Sequence, residues 1–466
     1  MLFNSFSYLA VFLPAAWLVY LGASKWFPRY RLVILLAISI AFYGYWDWHF
    51  IPLIVLSILL NWLAARWFIS AGLLWIVVGA ISANVIVLAV FKYLNFLFAL
   101  LPMRWGALHF DIALPLGISF FTFHHVMYLT DLRRKLAPQY TLIEYGLYIA
   151  FFPQVLAGPL VRWREVMHQF AASPFDVSPL PDDSEQWRRA ACGLTLIIFG
   201  LCQKVMLGDQ LAAIANPVFA MAASSPVRPV DAWLGTLAFT FQIFFDFSGY
   251  TDMAIGSALL FGITLPQNFD APYRATSLQG FWRRWHMTLS RFLRDYLYIP
   301  LGGNRHGPAV QLCALFATMT LGGLWHGAGL TFIAWGALHG IGLGFETLWR
   351  RSKLPTPALI CGPLTFLFVV FCWVLFRAQH FEAARHIYDA LLWLRRDGTD
   401  AHLDLRFSAV IVSLAGLLAF VLPNTSTLVS RLLARPVYAV GLGFLAACAV
   451  LALNASESFE FIYFRF

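Results

Sequence analysis

The sequence predicts an all-α polytopic membrane protein, and three observations carry that reading. Hydrophobic residues make up 60% of the 466-residue chain and charged residues only 12%, about half the charged share of a soluble globular protein. The charges cluster, leaving uncharged runs at 1–24, 67–91, 306–345, 354–376, 407–430 and 436–456. Each run is long enough to cross a hydrocarbon core, which takes roughly 20 helical residues. A soluble protein of this length could not cover its surface with so few charges. A cytosolic enzyme, a nuclear factor and a secreted disulfide scaffold are thereby excluded.

The net charge of +9 fits the same class. In a membrane protein a Lys/Arg excess reports cytoplasmic loops and contact with membrane lipid headgroups rather than nucleic acid. The six cysteines (Cys192, Cys202, Cys313, Cys361, Cys372 and Cys448) lie in mainly apolar surroundings, with no CxxC and no Cys/His spacing suited to zinc. They read as small core residues, so neither a disulfide nor a metal is expected.

Taken in order, the opening segment MLFNSFSYLAVFLPAAWLVYLG lacks the basic stretch of a secretory signal and reads as a retained first helix. Shorter uncharged runs at 32–46, 48–65, 112–130, 145–161, about 190–203, about 232–245 and 253–269 bring the expected count to about 11–13 transmembrane or re-entrant helices. Tyr43, Tyr45, Trp46 and Trp48 suit the aromatic belt at a membrane interface. Basic clusters stand at residues 25–31, 133–135 and 350–353, and a cytoplasmic placement of the first would turn the amino terminus outward. Residues 171–189 and 395–406, rich in Pro, Asp and Gly, read as extramembrane loops. No internal repeat is visible, which counts against a transporter built from two related halves. No linker sets off a soluble domain, so a single membrane domain over 1–466 is expected, with its core motifs at about 114–345.

In so apolar a chain the informative residues are polar ones in expensive places. His326 lies near the middle of the uncharged run 306–345, flanked by Gly322, Gly323, Gly327 and Gly329. Glycines at that density let a helix or a ligand approach the backbone, and imidazole can take and return a proton near neutrality. A histidine hydrogen-bonded in the bundle core is the plainer alternative, and it is the stronger one for His339. The stretch 276–306 combines a capping Ser277, a helix from about Gln279, and Arg283, Arg284, Arg291 and Arg294 against Asp295, with His286 embedded. Arg291 and Asp295, four apart, can pair on one helical face. The arginines suit lipid phosphate at an interface; they equally suit an anionic, phosphate-bearing donor. Asp246 and Asp252 sit in the apolar segment FQIFFDFSGYTDMAI and need partners, which the arginines of 283–294 could supply; direct catalytic acids are the alternative. His124 and His125, and the Pro153/Gly158/Pro159 break, read as structural features of interrupted spans.

Together, FFDFSGYTDMAIG, NFDAPYRATSLQGFWRRWHMTLSRFLRDYLYIPLGGNR and LGGLWHGAGLTFIAWGALHG closely resemble the membrane-bound O-acyltransferase (MBOAT) family, in its AlgI-like bacterial polysaccharide O-acetyltransferase branch. The resemblance extends to MLFNSFSYLAVFLP, LPLGISFFTFHHVMYLTD, FFPQVLAGPLVRW and the terminal FIYFRF, and so spans essentially the whole chain. It implies helices around a central tunnel in the bacterial inner membrane, and O-acetylation of an exported polysaccharide such as alginate. It also implies His326 as general base and His286 as a second catalytic residue that orients a substrate or polarises the thioester. Acetyl-CoA is then the implied acyl donor, with Arg283, Arg284, Trp285, Arg291, Arg294, Asn304 and Trp325 as donor- or acceptor-binding residues, and Asp246, Asp252 and Asp295 in structural support. The implied partners are an SGNH-hydrolase-like periplasmic acetyltransferase and polysaccharide synthesis and export machinery. At 466 residues the chain is shorter towards its carboxyl end than the best-known alginate protein, and nothing in the motifs settles the acceptor. Two other readings stay open: DltB-like D-alanyl transfer to teichoic acid, and a proton-coupled transporter using His286, His326 and Asp246.

Overall fold

The computed structural model describes residues 2–101, 110–156, 158–171, 184–354, 357–431, 436–455 and 461–462. Among them helices dominate, as the composition predicts, and they fall into two compact units. One unit comprises Met1–Phe199 and Tyr250–Pro266; the other comprises Gly200–Gly249 and Gln267–Phe466.

The first unit opens with a wide helical turn, Ser7–Phe12, that runs into α1 (Leu13–Trp26). It continues through α2 (Arg31–Trp46), α3 (Ile51–Ala71), α4 (Leu74–Ala99) and α5 (Ile118–Arg133). The uncharged run 67–91 is divided between two helices, because Gly72 takes the left-handed conformation (φ 69°) that caps α3. Asn61 on α3 and Asn84 on α4 exchange side-chain hydrogen bonds of 3.2 and 2.7 Å, the kind of polar pairing that joins helices where hydrocarbon gives no driving force. A capping box of Thr141 and Glu144 starts α6 (Leu142–Ala150). The Pro153/Gly158 signal does break the chain: α7 is the single turn Phe152–Val155, and a Cβ on Gly158 would sit 2.5 Å from the Pro153 carbonyl oxygen.

The rest of the chain supplies α8 (Trp163–Ala171), α9 (Ser184–Leu201), α10 (Asp209–Ala222) and the long α11 (Pro229–Leu260), which the two units divide at Gly249. The second unit then contains α12 (Leu278–Trp282), α13 (Met287–Leu293), α14 (Pro308–His326), α15 (Leu330–Ser352), α16 (Ala358–Arg377), α17 (Phe381–Leu391), α18 (Leu405–Val421), α19 (Thr425–Arg431) and α20 (Pro436–Ala455). The uncharged run 306–345, long enough to cross the bilayer, folds as a helical hairpin. α14 and α15 pack tightly across it; a Cβ on Gly323 would collide with the Phe332 carbonyl oxygen, and one on Gly336 with that of Met319.

Six helices among the described residues are long and apolar enough to cross a bilayer, or seven if the bent pair α18–α19 counts as one span. The larger number expected from the sequence counted runs such as 32–46 and 145–161, which fold as a 16-residue helix and as two short pieces. A run without charge is necessary for a span but does not set its length. The protein is a multi-pass membrane protein.

Candidate active site

His286 was expected within a basic amphipathic helix; instead it stands at a break between two short helices. Ser277 caps α12 by accepting the Gly280 amide at 3.0 Å, as its position predicts. After Trp282 the chain turns, and His286 takes a left-handed backbone (φ 40°, ψ 53°) before α13 begins. That conformation costs a non-glycine residue about 1–2 kcal/mol. Asn268 compensates. Its carbonyl oxygen accepts the Met287 amide at 2.9 Å, and its Oδ1 accepts the Thr288 hydroxyl (2.9 Å) and amide (3.3 Å). Oδ1 also lies 3.1 Å from His286 Nδ1. Because the Thr288 amide can only donate, that side-chain atom is an acceptor, so Nδ1 carries the hydrogen. The neutral ring therefore keeps its lone pair on Nε2, the atom able to take a proton.

His326 is the last residue of α14, followed by the Gly327–Gly329 turn. The helix C-terminus is the negative end of its dipole, which suits an imidazole that takes up a proton. The ring is 4% exposed. It is walled by Trp325 (centroids 4.9 Å apart), Trp335 (5.2 Å) and Phe376 (5.2 Å). The two imidazole centroids lie 6.5 Å apart. Histidines 40 positions apart in sequence are thus neighbours, both sheltered from bulk water.

Next to Met287, the residue that follows His286, opens a cavity of about 850 Å³. Arg283, Arg291, Arg294, Arg350 and Arg351 line it, against the carboxylate of Glu346, with Asn304, Ser290 and Gln311 adding polar groups. Arg351 donates to Gln311 Oε1 at 2.6 Å and Arg350 pairs with Glu346 at 2.8 Å. The cavity wall includes Met287, the residue after His286, as well as Thr318 and Met319. These last two are about two turns of α14, roughly 10–12 Å along its axis, from His326.

Four of the anticipated binding residues, Arg283, Arg291, Arg294 and Asn304, therefore share one cavity wall. The other three do not line it. Arg284 turns to Asp270, 3.2 Å from its carbonyl oxygen and 3.7 Å from its carboxylate. Trp285 is buried against Phe281 and Trp373, and Trp325 packs on His326. Asp295 pairs with Arg294 at 2.7 Å. Asp252 is buried in the first unit. Asp246 does not use an arginine of 283–294: its Oδ1 lies 2.7 Å from Lys204 Nζ. Lys204 is buried where it would be most costly alone, and this is why it finds two carboxylates, Asp246 and Asp209.

Sequence reasoning missed Asn268, Lys204, Asp209, Arg350 and Arg351 as site residues. Lys204 had a signal, as a cation inside the otherwise apolar stretch 190–208. Asn268 stands at the head of the NFDAPYR motif, but nothing in that motif said that it would hold His286. His339, read as a core histidine, is fully buried and accepts from the Trp282 indole at 3.3 Å. Among the described residues no group of three or more His, Cys, Asp or Glu side chains could hold a metal ion.

Residues 88–387 match the profile of MBOAT, the membrane-bound O-acyltransferase family. The peptidoglycan O-acetyltransferase of Helicobacter pylori is 36% identical over 439 residues, covering 84% of this chain and 80% of that protein. The probable alginate O-acetylase AlgI of Pseudomonas aeruginosa is 39% identical over 409 residues, covering 84% and 75%. A shorter likeness joins it to the teichoic acid D-alanyltransferase of Streptococcus thermophilus, 30% over 249 residues, covering 51% of this chain and 58% of that one. On these matches the chain belongs to the membrane-bound O-acyltransferase family and is an acyltransferase.

Proposed function

We propose that the protein is an inner-membrane O-acetyltransferase of a bacterial cell envelope, moving an acetyl group from acetyl-CoA on the cytoplasmic side to a hydroxyl for O-acetylation of an exported glycan. The observation that carries the reading is the pair of imidazoles 6.5 Å apart next to a cavity with five arginines. The donor's phosphates engage Arg283, Arg291, Arg294, Arg350 and Arg351 by charge-assisted hydrogen bonds, and its thioester reaches toward the histidines past Met287. A hydroxyl attacks the thioester carbonyl, and His326 removes its proton as the carbon–oxygen bond forms. The carbon–sulfur bond then breaks, and the departing thiolate recovers the proton from the imidazolium. His286, with its proton on Nδ1, offers the Nε2 lone pair to a neighbouring O–H or N–H of the acceptor and so orients the attacking hydroxyl, whose own proton goes to His326.

The attacking hydroxyl belongs to the glycan itself or to a serine of an SGNH-hydrolase-like periplasmic partner that passes the acetyl group on to the polysaccharide machinery. The relatives named for peptidoglycan and alginate support a glycan as final acceptor. His326→Ala abolishes polymer acetylation while the protein stays in the membrane; normal acetyl content in that variant would sink the assignment.

One observation favours a second reading: the partial likeness to teichoic acid D-alanyltransferases. A phosphopantetheinyl carrier protein as donor presents one phosphate where acetyl-CoA presents three, and five guanidiniums suit the larger charge better. Recovery of such a carrier in a pull-down, with no turnover of acetyl-CoA by the purified protein, would shift the choice to D-alanyl transfer.

A further inference from the structure

Three features of the second unit have no part in the chemistry above: the buried Lys204 cluster, the segment Phe461–Ile462 from the FIYFRF motif, and Phe247. They form one connected path to His286. Lys204 Nζ lies 2.6 Å from Asp209 Oδ1 and 2.7 Å from Asp246 Oδ1, and all three side chains are at most 2% exposed. Asp246 turns its other oxygen, Oδ2, to the backbone amide of Ile462 at 2.8 Å. Both oxygens of Asp246 are thus committed, one to a cation and one to a backbone donor, which removes it from the candidates for a catalytic acid. A carboxylate held by a lysine is a strong acceptor for a backbone N–H, and a buried N–H needs one.

The segment so captured is itself buried: Phe461 is 0% and Ile462 3% exposed. The Phe461 ring lies 5.7 Å from that of Phe247, and Phe247 stands perpendicular to the His286 imidazole at 4.8 Å. Asn268 grips the Nδ1 atom of the same imidazole. The ring is therefore held by a hydrogen bond at one atom and by an aromatic edge-to-face contact, in a backbone conformation that would otherwise relax. That contact is backed by a residue 175 positions away in sequence.

We propose that Phe461–Ile462 is a strap that positions His286 through Phe247, and that the Lys204–Asp246 pair is the latch that fastens it. Phe461, Phe247 and Asp246 are positioning residues and touch no substrate. The proposal rests on the assignment of His286 to acyl transfer.

The test uses the full chain in membranes or detergent, with acetyl-CoA turnover followed by thiol release. Phe461→Ala lowers kcat roughly 10- to 100-fold, the scale of a misplaced catalytic group, with the KM for acetyl-CoA near wild type, because the arginine-lined cavity is unchanged. Phe461→Leu, which restores apolar volume behind Phe247, recovers part of that loss. Wild-type kcat in folded Phe461→Ala overturns the strap, as does a loss that follows protein abundance alone and is not rescued by leucine. Should Phe461→Ala fail to reach the membrane, Phe247→Leu decides: it keeps the strap and removes only the edge-to-face contact, so an unchanged kcat there also overturns the proposal. His286→Ala separates the two levels. If His286→Ala turns over normally, the catalytic reading of His286 falls; if it is inactive while Phe461→Ala is normal, only the strap falls.

Discussion

Two buried histidines, His125 in the first unit and His286 in the second, show how equal burial serves different ends. Both are fully shielded, and each had to be stabilised by specific contacts because an unsatisfied buried imidazole is costly. His125 is closed on both sides: Nδ1 lies 2.7 Å from the Tyr145 hydroxyl and Nε2 3.1 Å from Ser57 Oγ. It sits inside a regular helix, α5. His286 sits at a helix break in a left-handed conformation, is oriented through Nδ1 by Asn268, and neighbours a second imidazole and an arginine-lined cavity. What separates a structural histidine from a candidate catalytic one here is what stands around it, a second imidazole and a break in the helix, not the depth at which it lies.

The sharpest way to break that comparison is to remove the imidazoles themselves. His326→Ala costs about 10²–10⁴-fold in acetyl transfer, the usual worth of a general base, whereas His125→Asn leaves kcat near wild type; comparable losses in both, measured per folded protein, would erase the distinction. Next comes Asn268→Ala, which frees the His286 ring and the Met287–Thr288 turn. It lowers kcat roughly 10- to 100-fold with little change in donor KM, read from initial rates at saturating acetyl-CoA. A smaller effect follows from Arg350→Ala with Arg351→Ala at the cavity wall. These side chains are exposed, so together they are worth about 1 kcal/mol: a roughly fivefold rise in donor KM, growing with the phosphate count of the donor and shrinking as salt is raised. An unchanged KM would detach the cavity from donor binding. The smallest change in activity belongs to Tyr145→Phe, which deprives His125 of its partner at Nδ1. It costs about 1–3 kcal/mol of stability, visible as a lower melting temperature, with kcat intact.

Much of the fold was legible because membrane burial is written in composition. The scarcity of charge placed the chain in a bilayer, the Pro153/Gly158 break appears where those residues stand, and Ser277 caps the helix it was expected to cap. The number of spans was not legible, since the absence of charge does not distinguish one helix from a hairpin: the run 306–345 turns at Gly327–Gly329, and the run 67–91 is divided at Gly72. For the site, the residue types were readable and their pairings were not. Arg283, Arg291, Arg294 and Asn304 share the cavity. Arg284, next to Arg283 in sequence, faces Asp270 instead, because the chain between α12 and α13 leaves the helical path.

By itself, then, the sequence determined the solvent, through its scarcity of charge, and the family, through its motifs, and it singled out His286 and His326 as candidates. The solvent and the two candidates follow from the cost of placing a particular group in hydrocarbon, and cost is a property of the residue and its immediate neighbours. The tertiary structure alone decided which partner meets that cost. Asp246 is matched by Lys204 rather than by an arginine, His286 is oriented by Asn268, and Phe461 arrives from the far end of the chain to back Phe247. Those are contacts between distant positions, and local patterns of polarity state that a partner is required without stating which one the folded chain brings near.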